Sequence, residues 1–408
     1  METTESPSEV PPRLRVFAIA GVTSVQVMAT MAVVIPASIA PEITREFGFP
    51  SSYVGYQVSL AYVGAILMSL AAGLVVRRFG AIRTNQIAAL VLFVSMMTFA
   101  IPHLVPMVIG SLGFGIAYGI TNPAASHVMM KIASPTNRNL IFSIKQTGQP
   151  LGGVLAGLMA PPIAVAFGWQ WSLVAGALLA LITMILIQPL RAPLDSDRDP
   201  TTRFRGAVFK DVRYMLGYPR LRLLAFAALS FSAVQIALMA YAVTMLVEDL
   251  AYTLVAAGAG LAALQVAGVI GRLGWGVAAD RSGNGGMTLV VVAVISIIAA
   301  LVTATLTASS PTWLVLGTIV VFGFTAVGWN GVFMAEIARL APDGMIGSAT
   351  GGVLVAVFFG VMIGPLIFNG ILNVYESYTV SFAVMSVVSG IGILAILRLM
   401  MLDQRKDT

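Results

Sequence analysis

Apolar positions in this chain neither alternate nor recur as narrow stripes. They run for about 20 to 28 residues at a time between short polar segments. A helix rising about 1.5 Å per residue needs about 20 residues to cross a hydrocarbon core, so each run is long enough to span a bilayer. Twelve spans are predicted, at 15–39, 52–76, 82–101, 104–130, 138–165, 169–190, 221–247, 252–279, 287–308, 312–338, 345–372 and 376–402. Glycine and proline inside several of them predict bent helices. One long polar stretch interrupts the series, Arg191 to Arg222, carrying Asp195, Asp197, Asp199 and a run of basic residues. It divides the chain into a tail (1–14), six spans (15–190), a linker (191–220), six further spans (221–402) and a second tail (403–408).

Composition agrees with the pattern. The chain is 58% hydrophobic and 10% charged, with a mean hydropathy of +0.93. Soluble domains are nearer a quarter charged, so a water-soluble enzyme or nucleic-acid binder is excluded and the lipid bilayer is the expected partner. Residues 1–12 are acidic and proline-rich and do not form a signal peptide. Cysteine is absent, which removes disulfides and thiolate metal sites from consideration. No metal or cofactor is expected, and no Walker, HExxH or Ser-His-Asp pattern points to catalysis.

The net charge of +6 is explained by where the cations fall. With both termini cytoplasmic, Arg13, Arg15, Arg77, Arg78, Arg83, Lys131, Arg138, the linker cluster, Arg281, Arg339, Arg398, Arg405 and Lys406 all face the cytoplasm, and Arg45 alone falls outside. That bias predicts a multi-pass protein of a bacterial-type inner membrane with both ends inside.

Against this background, charge within a span is conspicuous. The stretch Gln265 to Arg281 ends an apolar run, and Arg272 lies roughly 12 Å inside its polar terminus. Inserting such a cation costs about 2.5–3.5 kcal/mol or more, so it should face a partner or a wet cavity. No acid lies one helical turn away to neutralise it; an anion from solution could do so. Lys145, seven residues after Arg138 in span five, lies at a comparable depth of roughly 10 Å. A planar guanidinium suits a carboxylate, and a second cation strengthens the expectation of an anionic substrate. Snorkelling of Lys145 to the membrane surface is the competing reading.

The two halves also echo each other. Gly73-Leu-Val-Val-Arg-Arg78 closes span two, and Gly276-Val-Ala-Ala-Asp-Arg281 closes span eight. Here the chain resembles the major facilitator superfamily, whose corresponding loops carry GxxxDRxG. The resemblance implies an all-α membrane protein of twelve helices in two pseudo-symmetric six-helix bundles, working by alternating access around a central cavity. It also implies that spans five and eight meet between the halves, bringing Lys145 and Arg272 to one cavity. Arg77 departs from the family pattern where an Asp is usual, while Asp280 keeps it; these residues, with Arg78, Arg281, Gly73 and Gly276, are assigned to gating or structure. Arg272-Leu-Gly-Trp-Gly276 further resembles the span-eight RxxxG of monocarboxylate transporters, whose arginine contacts a carboxylate. Lys145-Gln-Thr-Gly-Gln-Pro-Leu-Gly152 is similar to that family's AGxPxG stretch, but the family's span-one lysine is missing and Gln26 stands in span one.

Other polar residues fill out the expected site. His127, Asn122, Tyr56, Tyr62, Gln265, Gln235, Tyr241, Asn330 and Trp329 are candidate cavity lining, with interhelical hydrogen bonding as the alternative for each. Glu336 is expected to pair with the Asp280–Arg281 loop. Glycines 148, 152 and 153 in span five and 268, 271, 274 and 276 in span eight predict close helix packing. The function expected is secondary active transport of small organic anions, mono- or dicarboxylates, by a monomer, through proton symport or anion exchange. A multidrug exporter of lipophilic cations or neutral compounds, driven by proton antiport, is the alternative, although such a site usually carries an acid. A membrane sensor without transport is the third reading.

Overall fold

A computed structural model describes residues 11–133, 138–201, 210–342 and 345–407. Its twelve spanning helices are Pro12–Ser38, Ser51–Phe79, Ala81–Phe99, Leu104–Ile132, Ile144–Phe167, Trp169–Leu194, Pro219–Glu248, Leu254–Ser282, Gly285–Thr303, Thr312–Leu340, Ile346–Tyr375 and Tyr378–Asp407, spans one to twelve in order. No strand occurs among the described residues. Span nine stops at Thr303, five residues short of the apolar run. Threonine hydroxyls at 303 and 305 turn back to the carbonyls of Ala300 and Val302 and compete with continued helix there. The Arg191–Arg222 linker carries a short helix, Lys210–Gly217.

The pairing of helices repeats with a period of six spans. Spans two and four, one and five, and three and six pack together, as do eight and ten, seven and eleven, and nine and twelve. Each half is thus a six-helix bundle. The halves meet where span five packs on span eight, span eleven on span two, and span one on span seven. The first of these seams is backbone against backbone: a Cβ on Gly258 would lie 2.3 Å from the Gly157 carbonyl oxygen. Only glycine permits that approach. The outer surface is apolar, with Leu67, Leu158, Leu273 and Val387 all exposed, which suits lipid rather than water.

An even number of crossings returns both ends and the linker to one side, the termini side, which carries Arg77, Arg78, Arg83, Lys131, Arg281 and Arg398. The opposite side is sealed. Tyr241 of span seven is buried there, donates to Asn369 Oδ1 at 2.8 Å, and lies 3.4 Å from the Ser52 carbonyl of the other half. On the termini side the halves part: a Cβ at either Gly73 or Gly276 would meet nothing within 4 Å.

Three acids at the start of the linker clasp the first half. Asp195 accepts from the backbone N–H groups of Ile82 (2.8 Å) and Arg83 (2.9 Å), capping span three from more than a hundred residues away. Gly80, at φ +91°, makes this possible, since a Cβ there would lie 2.4 Å from Asp195 Cγ. Asp197 accepts from Lys131 Nζ and bonds His127 Nε2 at 2.7 Å. The Asp199 N–H donates to the Arg77 carbonyl at 2.8 Å, and its carboxylate lies 3.9 Å from the Arg77 guanidinium.

Candidate functional site

The site begins with two interrupted helices. Span five is continuous helix over Arg138–Gln146 and again over Gly148–Phe167. Pro150 has no N–H to give the carbonyl four residues back, so Gln146 keeps a free acceptor in mid-membrane. Span ten is likewise split, into Thr312–Ala326 and Asn330–Leu340. The break, residues 327–329, contains Gly328, where an added Cβ would lie 2.2 Å from the Phe324 carbonyl, and it leaves the Val327 carbonyl outside the regular ladder.

Arg272 takes up both loose ends. Its Nη1 donates to the Gln146 carbonyl at 3.3 Å and its Nε to the Val327 carbonyl at 3.2 Å. One side chain therefore ties the first half to the second through neutral acceptors. No carboxylate pairs with it among the described residues. The guanidinium borders a cavity of about 490 Å³ between the halves, reaching from mid-membrane to Gly73, Leu74 and Met334 near the termini side. Among the described lining residues Arg272 is the one charged side chain.

Several predicted residues come together at this cavity: Arg272, Asn122, Tyr62, Gln265, Gln235, Asn330 and Gly73 all line it. Gln235 Oε1 accepts from Trp329 Nε1 (2.9 Å) and Asn330 Nδ2 (3.3 Å), so span seven is tied to the start of the second piece of span ten. Tyr118 and Gln149, which the sequence reading did not single out, also line the cavity, and Gln149 Nε2 donates to the Tyr118 hydroxyl at 2.9 Å. Tyr118 packs edge-on against Tyr62 at 5.6 Å. Its spacing of one helical turn from Asn122 was the signal available in the sequence.

Others lie elsewhere. Lys145 does not line the cavity: it is 2% exposed and turns toward span four, where its amine donates to Asn122 Oδ1 and to Ser126 Oγ at 2.9 Å. The amine neither reaches the membrane surface nor faces the cavity; Asn122 stands between. His127 is at the linker clasp with Asp197. Tyr56 stacks edge-on with Tyr53 near the sealed side, and Tyr241 belongs to the seal itself. Glu336 is buried and accepts from Arg339 Nη2 at 2.7 Å and Nε at 2.9 Å, not from Arg281. A turn of helix separates Glu336 and Arg339, which makes this the cheaper partnership. Arg339 continues to Asp403 at 2.9 Å. Asp280 and Arg281 are exposed, and Gly276 is free of close contacts. Arg78 sits over the Phe79 ring at 5.7 Å. Among the described residues no cluster of three or more His, Cys, Asp or Glu could hold a metal.

Comparison with known proteins agrees with this architecture. The family model described as Major Facilitator Superfamily matches residues 22–365. A hexuronate transporter of Bacillus subtilis (strain 168) is 28% identical over 149 residues, 36% of this chain and 35% of that protein. The 4-hydroxybenzoate transporter PcaK of Acinetobacter baylyi is 27% identical over 157 residues, 36% of this chain and 33% of that protein. These matches span only about a third of either relative's length. Among solved structures, a bacterial homologue of the human lysosomal transporter Spinster, inward-facing and unoccupied, superposes with a TM-score of 0.77 at 14% identity, covering 96% of this chain and 98% of that one. A D-xylose-proton symporter does so with a TM-score of 0.74 at 15% identity, covering 95% and 97%.

Proposed function

The chain belongs to the major facilitator superfamily, and from that premise we propose that it is a secondary transporter of small organic anions, with Arg272 as the group that holds the carboxylate. The observation that carries this reading is the unbalanced cation: a guanidinium at a cavity wall, bonded to two neutral carbonyls and facing no acid among the described lining. Those carbonyls hold the guanidinium in place, and its remaining N–H groups can give a carboxylate charge-assisted bonds, roughly twice as strong as neutral ones. A lipophilic cation would instead meet like charge, with no counter-charge among the described lining residues, which disfavours an exporter of such compounds.

The cationic side is the cytoplasmic side in this reading, following the positive-inside bias. The cavity then opens inward, and the Tyr241 seal closes the outer face. Binding an anion neutralises the cavity, so the halves can close without enclosing a bare charge. Both anion exchange and proton symport satisfy that balance. Transport by purified protein in liposomes separates them: exchange requires a trans anion, whereas symport responds to an imposed pH gradient.

The test of the anion site is thermal stabilisation of purified protein by 4-hydroxybenzoate, gluconate and a lipophilic cation such as tetraphenylphosphonium. An organic acid should raise Tm in the wild type and leave Arg272→Ala unmoved. Stabilisation by the cation alone, equal in both proteins, would sink this reading.

A further inference from the structure

Among the described residues, unpartnered buried polar atoms of the cavity lining fall at two places: Gln146 Oε1, on the residue whose carbonyl Arg272 holds, and Gln265 with Thr30 at the end away from Arg272. Gln265 stands seven residues before Arg272 on span eight, so the two share a helix face about 10 Å apart along the axis. Gln265 is 0% exposed and borders the cavity, yet neither its amide nitrogen nor its amide oxygen has a hydrogen-bond partner among the described residues. Thr30 of span one, in the other half, is 5% exposed, borders the same cavity, and has an unpartnered hydroxyl among the described residues. Both press on one place in span five. A Cβ on Gly152 would lie 2.8 Å from Thr30 Cβ, and a Cβ on Gly153 would lie 1.9 Å from Gln265 Nε2. Glycine at both positions leaves room for these two side chains between the halves.

Buried amides and hydroxyls are almost always bonded, because an apolar surrounding returns nothing for the water given up. Two such groups, one from each half and both beside the cavity, are fitted to a partner that arrives with the substrate. A hydroxyl is the matching chemistry. It donates and accepts at once, and the glutamine amide and threonine hydroxyl each offer both functions in return. A second carboxylate would satisfy donors alone and would meet no cation there.

Resting on the anion reading of Arg272, we propose that Gln265 and Thr30 form a hydroxyl-reading subsite, so that the substrate is a hydroxylated organic acid rather than a simple or dicarboxylic one. The axial separation, less the reach of the hydrogen bonds at each end, places the hydroxyl roughly 4 to 8 Å from the carboxylate. A ring hydroxyl opposite a carboxylate, or a remote hydroxyl of a six-carbon sugar acid, meets that spacing.

Equilibrium binding to the purified full-length protein tests this with two pairs of acids: 4-hydroxybenzoate against benzoate, and gluconate against hexanoate. Wild type should favour the hydroxylated member of at least one pair about tenfold or more. Gln265→Met and Thr30→Val conserve volume while removing the amide or hydroxyl. Each should bring that ratio within about threefold of unity, leaving the affinity for the unhydroxylated acid unchanged. Arg272→Ala should abolish binding of both members. A wild-type ratio near one in both pairs overturns the subsite while leaving the anion reading intact, and so does a ratio that neither variant moves. Because the two variants lie in different helices, either one decides if the other fails to fold, and the wild-type ratio stands without both. Failure of the wild type to bind any of the four acids overturns the anion reading, and the subsite with it.

Discussion

At the scale of single residues, partners decide what a charge does. Arg272 and Lys145 stand at similar depth in the sequence reading, but their surroundings differ. Among the described residues Arg272 donates to two backbone carbonyls at a cavity wall, whereas Lys145 is enclosed and committed to Asn122 and Ser126. Lys145 therefore bears on the cavity through Asn122, whose amide oxygen it holds. In the linker, Asp197 illustrates the same rule. Partial burial alone would raise its pKa, but hydrogen bonds and charge from Lys131 and His127 outweigh burial and hold the carboxyl below its ordinary value. A depressed carboxyl contributes stability above its unfolded pKa and loses it as pH falls through the folded one. Asp197→Asn should therefore lower Tm at pH 7, and the gap from wild type should close below about pH 4. A gap that stays constant from pH 7 to pH 3 would mean the clasp is not ionic.

At the scale of elements, the interrupted helices make the site. A proline inside a helix costs about 3 kcal/mol, and the cost is placed where the freed carbonyl of Gln146 can serve Arg272. Pro150→Ala restores the missing donor and draws that carbonyl back into the helix. The variant should be more stable by up to about 3 kcal/mol, with a higher Tm and weaker anion binding, because the guanidinium loses its anchor in the first half. A lower Tm would show instead that packing between spans five and eight imposes the break. Span ten reaches the same end without a proline: Gly328, lacking a Cβ, lets the backbone lie against the Phe324 carbonyl, where a Cβ would come within 2.2 Å.

At the scale of the whole molecule, the pairing repeat across the halves places one seam sealed and the other parted. The chain has no cysteine, so single cysteines report on this cleanly. Gly73→Cys and Gly276→Cys, where a side chain would meet nothing within 4 Å, should react quickly with a water-soluble maleimide. Ser52→Cys, at a position 8% exposed beneath the Tyr241 seal, should react at least about tenfold more slowly. An added substrate that protects the first two and exposes the third would show the halves exchanging places. Equal reactivity at all three would show that the far side is not sealed.

The sequence by itself determined the twelve spans, the division at the linker, the family and the depth of Arg272. The spans and the linker follow from run length against bilayer thickness, the depth of Arg272 from its place in a run, and the family from the resemblance of Gly73–Arg78 and Gly276–Arg281 to its loop motif. It also supplied the polar residues from which the cavity is lined, since polar atoms within spans are few. Tertiary structure alone decided which of them face one another. Lys145, His127 and Tyr241 carry the same sequence credentials as Asn122, Gln235 and Gln265, but helix rotation and the partners Ser126, Asp197 and Asn369 turn the first group away from the cavity. Those partners lie 19 to 128 residues away. No local pattern records such distances, because they are fixed only when the two bundles pack. For the same reason the clasp of Asp195, Asp197 and Asp199 on the first half emerges from the packed structure rather than from the spacing of charges along the chain; the pairing of Glu336 with Arg339, three residues apart, was by contrast within reach of local spacing.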